Sequence, residues 1–193
     1  IDWIQARSSS VAFSFIEASF VLMTSAGRLQ TGGKQTNNLP DIIGKGYRDY
    51  WESKARYCLC KGSRGSKKSK TTALWFIYNI MKYPEANALC VRRFGNTLRD
   101  SCFSDLKWAA ARLGVYHLWD FTVSPIEATY RPTGQKILFR GMDDGLKVTS
   151  ISVPKGILCW VWVEEAYEIT SEDDFNKLDM SIRGEVRPAS GNR

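Results

Sequence analysis

The chain has 193 residues, 44 % hydrophobic and 24 % charged, with a formal net charge of +7. That length carries one α/β domain with a real core, and the balance is that of an ordinary globular protein. The positive charge favours polyanionic partners such as nucleic acid or nucleotide. The five cysteines, mostly inside apolar runs and without disulfide-like spacing, argue against a disulfide scaffold and read as reduced thiols of a cytosolic protein.

Residues 1–38 differ from the rest. They are rich in Ser, Thr, Gly and Gln and read as an atypical N-terminal segment or linker, most linker-like over residues 27–38. The apolar stretch over residues 11–24 contains Ser14, Glu17 and Ser19, and is too short and too polar to span a membrane. Arg7 and Ala18-Ser19 make a poor secretory signal. The chain begins at Ile1 rather than Met, so a fragment is expected. From Leu39 the pattern sharpens. Pro40 and Asp41 open a short helix with Ile42, Ile43, Tyr47, Tyr50 and Trp51 at helical spacing. Residues 56–61 form the first core strand, and a loop of small and basic residues leads to a helix over 69–81, stopped by Pro84. Residues 88–91 are a short buried strand ending in Arg92-Arg93, and 97–113 a helix ending at Gly114. Residues 118–123 read as a strand, and 127–131 and 136–139 flank Pro132-Thr-Gly134 as a hairpin. A turn follows at 142–145. The seven apolar residues Ile157-Leu-Cys-Trp-Val-Trp-Val163 predict a fully buried strand, which ends in Glu164-Glu165. Thr170-Ser-Glu172 opens a last helix through Phe175, Leu178 and Ile182. The fold class is therefore α/β, with a largely parallel central sheet flanked by helices.

Two stretches carry chemistry. Gly62-Ser-Arg-Gly-Ser-Lys-Lys-Ser69 matches the phosphate-binding pattern G-x-x-x-x-G-K-[ST], with Lys67 in place of the second glycine. Small residues such as Ser63, Gly65 and Ser66 let backbone N–H groups turn inward around a phosphate, and the following helix aims its positive end at the same anion. Lys68 is placed for the β/γ-phosphates and the Ser69 hydroxyl for Mg²⁺. At the end of the apolar strand, Glu164 is suited to the metal and Glu165 to orienting or deprotonating the attacking water. Each stretch has a plainer reading: a basic surface turn for the loop, solvent-facing acids for the pair. Their order, each after a buried strand, favours one joint site outside the carboxyl ends of a parallel sheet. Elsewhere, Arg92 and Arg93 could face DNA or a neighbouring subunit's nucleotide but read first as a solvated strand end, and Lys67, Lys70, Arg99 and Lys107 could track phosphates but, taken singly, read as helix surface. Trp75, Trp108 and Trp162 read as core, while Trp160, Asp143 and Asp144 take no assignment. With His117 the single histidine and Cys58-Leu-Cys60 not spaced as a metal pair, a zinc site is not expected.

Five ordered segments together carry a resemblance: Gly62 to Ser69, Cys90-Val-Arg-Arg93, Leu98 to Trp108, Phe139-Arg-Gly-Met-Asp-Asp144 and Val161-Trp-Val-Glu-Glu-Ala166. The chain resembles the large terminase subunit of tailed double-stranded DNA bacteriophages, over roughly residues 39–185. The resemblance implies a P-loop NTPase of the ASCE type, which places an extra strand between its two nucleotide motifs. It implies an ATP hydrolase that drives double-stranded DNA into a procapsid, with ATP and Mg²⁺ as cofactors. Implied partners are the portal protein and the small terminase subunit. A homo-oligomeric ring is implied as the assembled form, and the bacterial host cytoplasm as the place. By the same resemblance Gly62, Gly65, Lys68 and Ser69 belong to the Walker A loop, and Arg64 is an arginine proposed to sense the γ-phosphate. Glu164 is the Walker B acid and Glu165 the catalytic glutamate. Residues 39–193 are then the ATPase domain, C-terminally truncated, and with no nuclease carboxylate cluster present nuclease activity is not expected. The competing functions are a nucleotide- or nucleic-acid-binding module without turnover, and another P-loop phosphotransferase.

Overall fold

The computed structural model describes residues 3–6, 18–21, 42–43, 45–143 and 151–182. Its centre is an eight-stranded sheet in the order β1-β3-β2-β8-β4-β7-β6-β5. The strands are β1 (Trp3–Ala6), β2 (Ala18–Val21), β3 (Tyr57–Lys61), β4 (Ala86–Arg92), β5 (Trp119–Val123), β6 (Ile126–Tyr130), β7 (Gln135–Gly141) and β8 (Ile157–Val163). Among the described residues the α-helices are α1 (Arg48–Glu52), α2 (Lys68–Lys82), α3 (Ser104–Arg112) and α4 (Glu172–Ser181). Apart from residues 1–38, the order of elements follows the sequence reading closely.

The sheet is covered on both faces, which is why β8 and the Ala88 to Val91 part of β4 are apolar without a break. Ala88 and Cys90 of β4, with Trp160 and Trp162 of β8, join the larger core, which holds α2, α3 and Tyr50 of α1. Leu89 and Val91, with Val161 and Val163, join a smaller core closed by Leu178 of α4 and Ile182. Successive strand residues thus feed opposite layers. Helix α2 is buried continuously from Thr71 to Ile80, as a helix that is apolar on every side must be. Its far end is closed by Gln135, whose amide donates to the carbonyls of Ile80 and Ala86 at 2.9 Å each and to that of Tyr83. Helix α4 starts where Ser171 Oγ accepts from the Asp174 N–H at 3.2 Å, an N-cap in the expected place.

Three differences stand out. The sheet is mixed rather than largely parallel: β4 pairs in parallel with β7 and β8, and all the other pairs are antiparallel. Part of the reason is the β5-β6-β7 meander. The rest is that segments within residues 1–38, expected to be a linker, supply β1 and β2. Strand β2 stands between β3 and β8, pairing Phe20 with Val163 and Val21 with Trp162. The ladder edges of β3 and β8 need hydrogen-bond partners, and that demand is not visible in the local sequence of the strand that meets it. Residues 27–38, the most linker-like part, lie outside the described residues, as do Asp144 and Gly145 of the expected turn. Finally, the single helix expected over 97–113 is broken into a 3-10 turn (Gly95–Thr97), a π segment (Arg99–Phe103) and α3.

Candidate nucleotide-binding site

Strands β3, β8, β4 and β7 point the same way, so the segments that follow them emerge at one edge of the sheet. These are the loop 62–67, Glu164-Glu165, Arg92-Arg93 and Gly141 to Asp143. The loop is held from within and from below. The Ser66 N–H donates to Ser63 O at 3.2 Å, and Gly65 takes φ +82°, a conformation that suits glycine. Tyr47 donates its hydroxyl to Ser66 O, and Tyr50 donates to Thr72 Oγ1 at 3.1 Å. Burial pushes both phenols above their ordinary pKa, so at neutral pH both remain protonated donors. One short segment therefore braces both the loop and the first turns of α2.

Lys67 stands at the last position of the loop with φ 67° and ψ 18°. This left-handed backbone is what the pattern's glycine would adopt freely. Lysine adopts it at a cost of about 1–2 kcal/mol. The departure from the glycine pattern appears as local strain. Lys67→Gly should therefore stabilise the fold by about 0.5–1 kcal/mol, the relief being partly offset by glycine's greater freedom in the unfolded chain. Thermal denaturation should show a rise of roughly 1–4 °C for a domain of this size. A fall in Tm would mean that the left-handed conformation is not strained here.

Lys68 bends back over the loop. Its ammonium donates to Gly62 O and lies 3.4 Å from Ser63 O and 3.5 Å from Ser66 Oγ. Arg64 stands exposed at the loop tip, and among the described residues no bond joins it to the rest of the site. Ser69 donates its hydroxyl to Glu164 Oε1 at 2.7 Å, across 95 residues of sequence. The second oxygen, Oε2, accepts from Trp162 Nε1 at 2.8 Å. Glu164 is only 6 % exposed, so both bonds matter: a buried carboxylate left without donors is costly. Ser69 and Glu164 thus bring two hard oxygen donors together beside the loop. That donor set fits Mg²⁺, which takes one or two carboxylates and completes its shell with phosphate oxygens and water.

Glu165 follows with φ 51° and ψ 51°. The left-handed turn ends the strand alternation at the residue where two adjacent acids would otherwise face opposite ways. A 3-10 turn (Ala166–Glu168) follows, closed by the Glu168 N–H donating to Glu165 O at 2.8 Å. Arg92, at the end of the neighbouring β4, grips Glu168 with a two-pronged pair, Nε to Oε2 at 3.1 Å and Nη2 to Oε1 at 3.0 Å. Arg93 Nη1 donates to Glu168 O at 3.2 Å. The bond to Glu168 raises the Arg92 pKa above its ordinary value, and the charges of Glu165 and Glu164 add to this.

The sequence model of the phage terminase large subunit family matches residues 54–192. The chain belongs to that family. It is 40 % identical over 134 residues to the terminase large subunit of Bacillus phage SPP1, a match covering 69 % of this chain and 31 % of that protein. It is 29 % identical over 140 residues to the PBSX phage terminase large subunit of Bacillus subtilis (strain 168), covering 71 % of this chain and 30 % of the other. The chain therefore spans about three-tenths of the length of these terminases.

Sequence reading put the loop 62–69 and Glu164-Glu165 after buried strands, where they lie in the structure, but missed several side chains there. Trp162 belongs to the core as expected, yet it also orients Glu164. The signal was available: residues two apart on a strand share a face, so the indole of Trp162 and the carboxylate of Glu164 lie together. Tyr47 and Tyr50 were read as apolar helix positions only. Arg92 and Arg93 were read as a solvated strand end, and instead are bonded to Glu168. Trp108 was read as core but is 38 % exposed, with the Lys70 ammonium 4.6 Å from its ring centroid and 2.7 Å from Asp105.

Proposed function

We propose that this chain binds and hydrolyses Mg-ATP, as the motor part of a terminase that packages double-stranded DNA. The observation that carries this reading is the 2.7 Å bond between Ser69 and Glu164, which joins the two stretches singled out for phosphate and metal. In this reading the Lys68 ammonium leaves the loop carbonyls for the β- and γ-phosphate oxygens. Backbone N–H groups of loop 62–67 and the first turn of α2 receive the phosphates. Ser69 and Glu164 would hold Mg²⁺, which when bound neutralises charge on the phosphates. Glu165 orients the attacking water and takes up its proton. Arg64, exposed at the loop tip, meets the γ-phosphate in this reading.

The fold reading is a P-loop NTPase of the ASCE type. It is supported by the strand–loop–helix order of β3, loop 62–67 and α2 and by the acids at the end of the parallel strand β8; β2, which stands between β3 and β8, comes from upstream of the loop and runs antiparallel to both. Family membership and the net charge of +7 support double-stranded DNA as the substrate that is moved. Membership likewise supports the portal protein and the small terminase subunit as partners, a homo-oligomeric ring as the working form and the host cytoplasm as its place. A binding module without turnover would share the loop but would have no need of Glu165.

The test is Glu164→Gln. Glutamine can keep the Trp162 bond through its carbonyl and turn its NH₂ toward Ser69 Oγ, since a hydroxyl also accepts. The fold should survive, with Tm within a few degrees of wild type. The metal site should not: a carboxylate is lost and a Ser69 lone pair is taken. Titration with ATP should show tighter binding in Mg²⁺ than in EDTA for the wild type, and about a tenfold or greater loss of that enhancement in the variant. An unchanged response to Mg²⁺ would remove Glu164 from the site.

A further inference from the structure

We propose that Arg92 is a positioning residue for the Glu165 carboxylate, acting through Glu168. This rests on the reading of Glu165 as the group that acts on water. Glu165 sits on backbone that a non-glycine residue does not hold by preference, φ 51° and ψ 51°. Such a conformation persists where the surroundings fix it, and three contacts do so here. The Glu168 N–H closes the turn on Glu165 O at 2.8 Å. The Arg92 guanidinium takes both oxygens of the Glu168 carboxylate, at 3.1 and 3.0 Å. Arg93 takes the Glu168 carbonyl at 3.2 Å. The far end of the turn is thus anchored to β4, which is itself locked to β8 in register up to Val91 with Val163. Arg92 and Glu168 are both largely shielded, with side chains 21 % and 19 % exposed, so their pairing is less screened than that of a surface pair. A planar fork on a carboxylate also fixes angle as well as distance, which a lysine cannot do.

Removing either partner frees the turn to relax, and the Glu165 carboxylate loses its placement without any loss of the phosphate loop. Arg92→Gln and Glu168→Gln, made in a form of the protein that hydrolyses ATP, should each lower kcat by about tenfold to a hundredfold and leave KM for ATP within about threefold. Arg92→Lys, which keeps the charge but not the fork, should fall between wild type and Arg92→Gln. Because both residues act through one link, the double variant should be no slower than the slower single variant. Hydrogen exchange supplies a reading that does not depend on turnover: the Glu168 amide should lose protection in Arg92→Gln, and the amides of α2 should keep theirs. Unchanged kcat in both variants against an active wild type would overturn the role of Arg92 alone. Losses that multiply in the double variant, or a rise in KM matching the fall in kcat, would overturn it in favour of general damage to the fold. A wild type that binds Mg-ATP and never hydrolyses it would instead overturn the assignment of Glu165, and that of Arg92 with it.

Discussion

Glu165→Gln is expected to cut ATP turnover by about 10²–10⁴-fold, the usual worth of a group that orients or deprotonates the nucleophile, and to leave ATP affinity within a few-fold. The two adjacent acids differ in surroundings, and the expectation follows from that difference. Glu164 is buried and bonded by Ser69 and Trp162, a geometry suited to a fixed metal-site ligand. Glu165 lies one residue on, half-buried, on a turn whose closing bond uses its backbone carbonyl rather than its side chain. Glutamine has the same shape and leaves that backbone bond in place, so the site should stay formed and still bind ATP. It lacks the charge and the basicity. An interaction needed only as the water attacks lowers kcat without a matching change in affinity. Steady-state hydrolysis together with a separate ATP titration checks both halves. Near-normal hydrolysis would sink the assignment, and a pure turnover defect in Glu164→Gln would mean that the two roles must be exchanged.

What was legible in the sequence depended on the range over which each feature is determined. Strand β8 could be read to the residue, because seven apolar residues in a row between a glycine and two acids admit few alternatives. Helix α2 was readable for a similar reason, with small and basic residues before it and Pro84 after. The strained Lys67 was half-legible: the pattern says which position wants glycine, and only the backbone shows that lysine takes up the glycine conformation there. The pairing of Ser69 with Glu164 followed from motif order, whereas the contact of Arg92 with Glu168 did not. Those two residues are 76 apart in sequence, and their meeting is set by the register of β4 against β8, which no local pattern encodes. Strand β2 was illegible for a related reason. Its four residues are strand because β3 and β8 offer edges to pair with, not because of alternation of their own. The break in the helix expected over 97–113 likewise has no Gly or Pro at its π segment to announce it.

The lysine that matters should be Lys68 and not its neighbour. Lys68→Ala is expected to weaken Mg-ATP binding by about 10²–10³-fold, and Lys67→Ala by less than about threefold. In the structure the Lys68 ammonium already hangs over the loop, bonded to Gly62 O and close to Ser63 O and Ser66 Oγ. Those acceptors are neutral. Phosphate oxygens are charged, and a hydrogen bond to a charged group is worth roughly 1.5–3 kcal/mol where a neutral one gives about 1. Exchanging carbonyls for two phosphate oxygens is therefore downhill by a few kcal/mol, which at 1.4 kcal/mol per decade gives about 10²-fold or more. Alanine forfeits that exchange. It also leaves the Gly62 carbonyl without its ammonium, so a loss in stability of about 1 kcal/mol should accompany the loss in binding. Lys67 contributes differently. Its side chain is exposed, and its known bond is made by its backbone carbonyl, which accepts from the Thr71 N–H at 2.9 Å. Alanine preserves that bond and the left-handed backbone with its strain. Isothermal titration of the two variants side by side decides the register of the loop. A loss concentrated at Lys67 would shift the phosphate-binding lysine by one residue, and with it the hydroxyl expected at the metal from Ser69 to another residue. The direct contact of Ser69 with Glu164 argues against that shift.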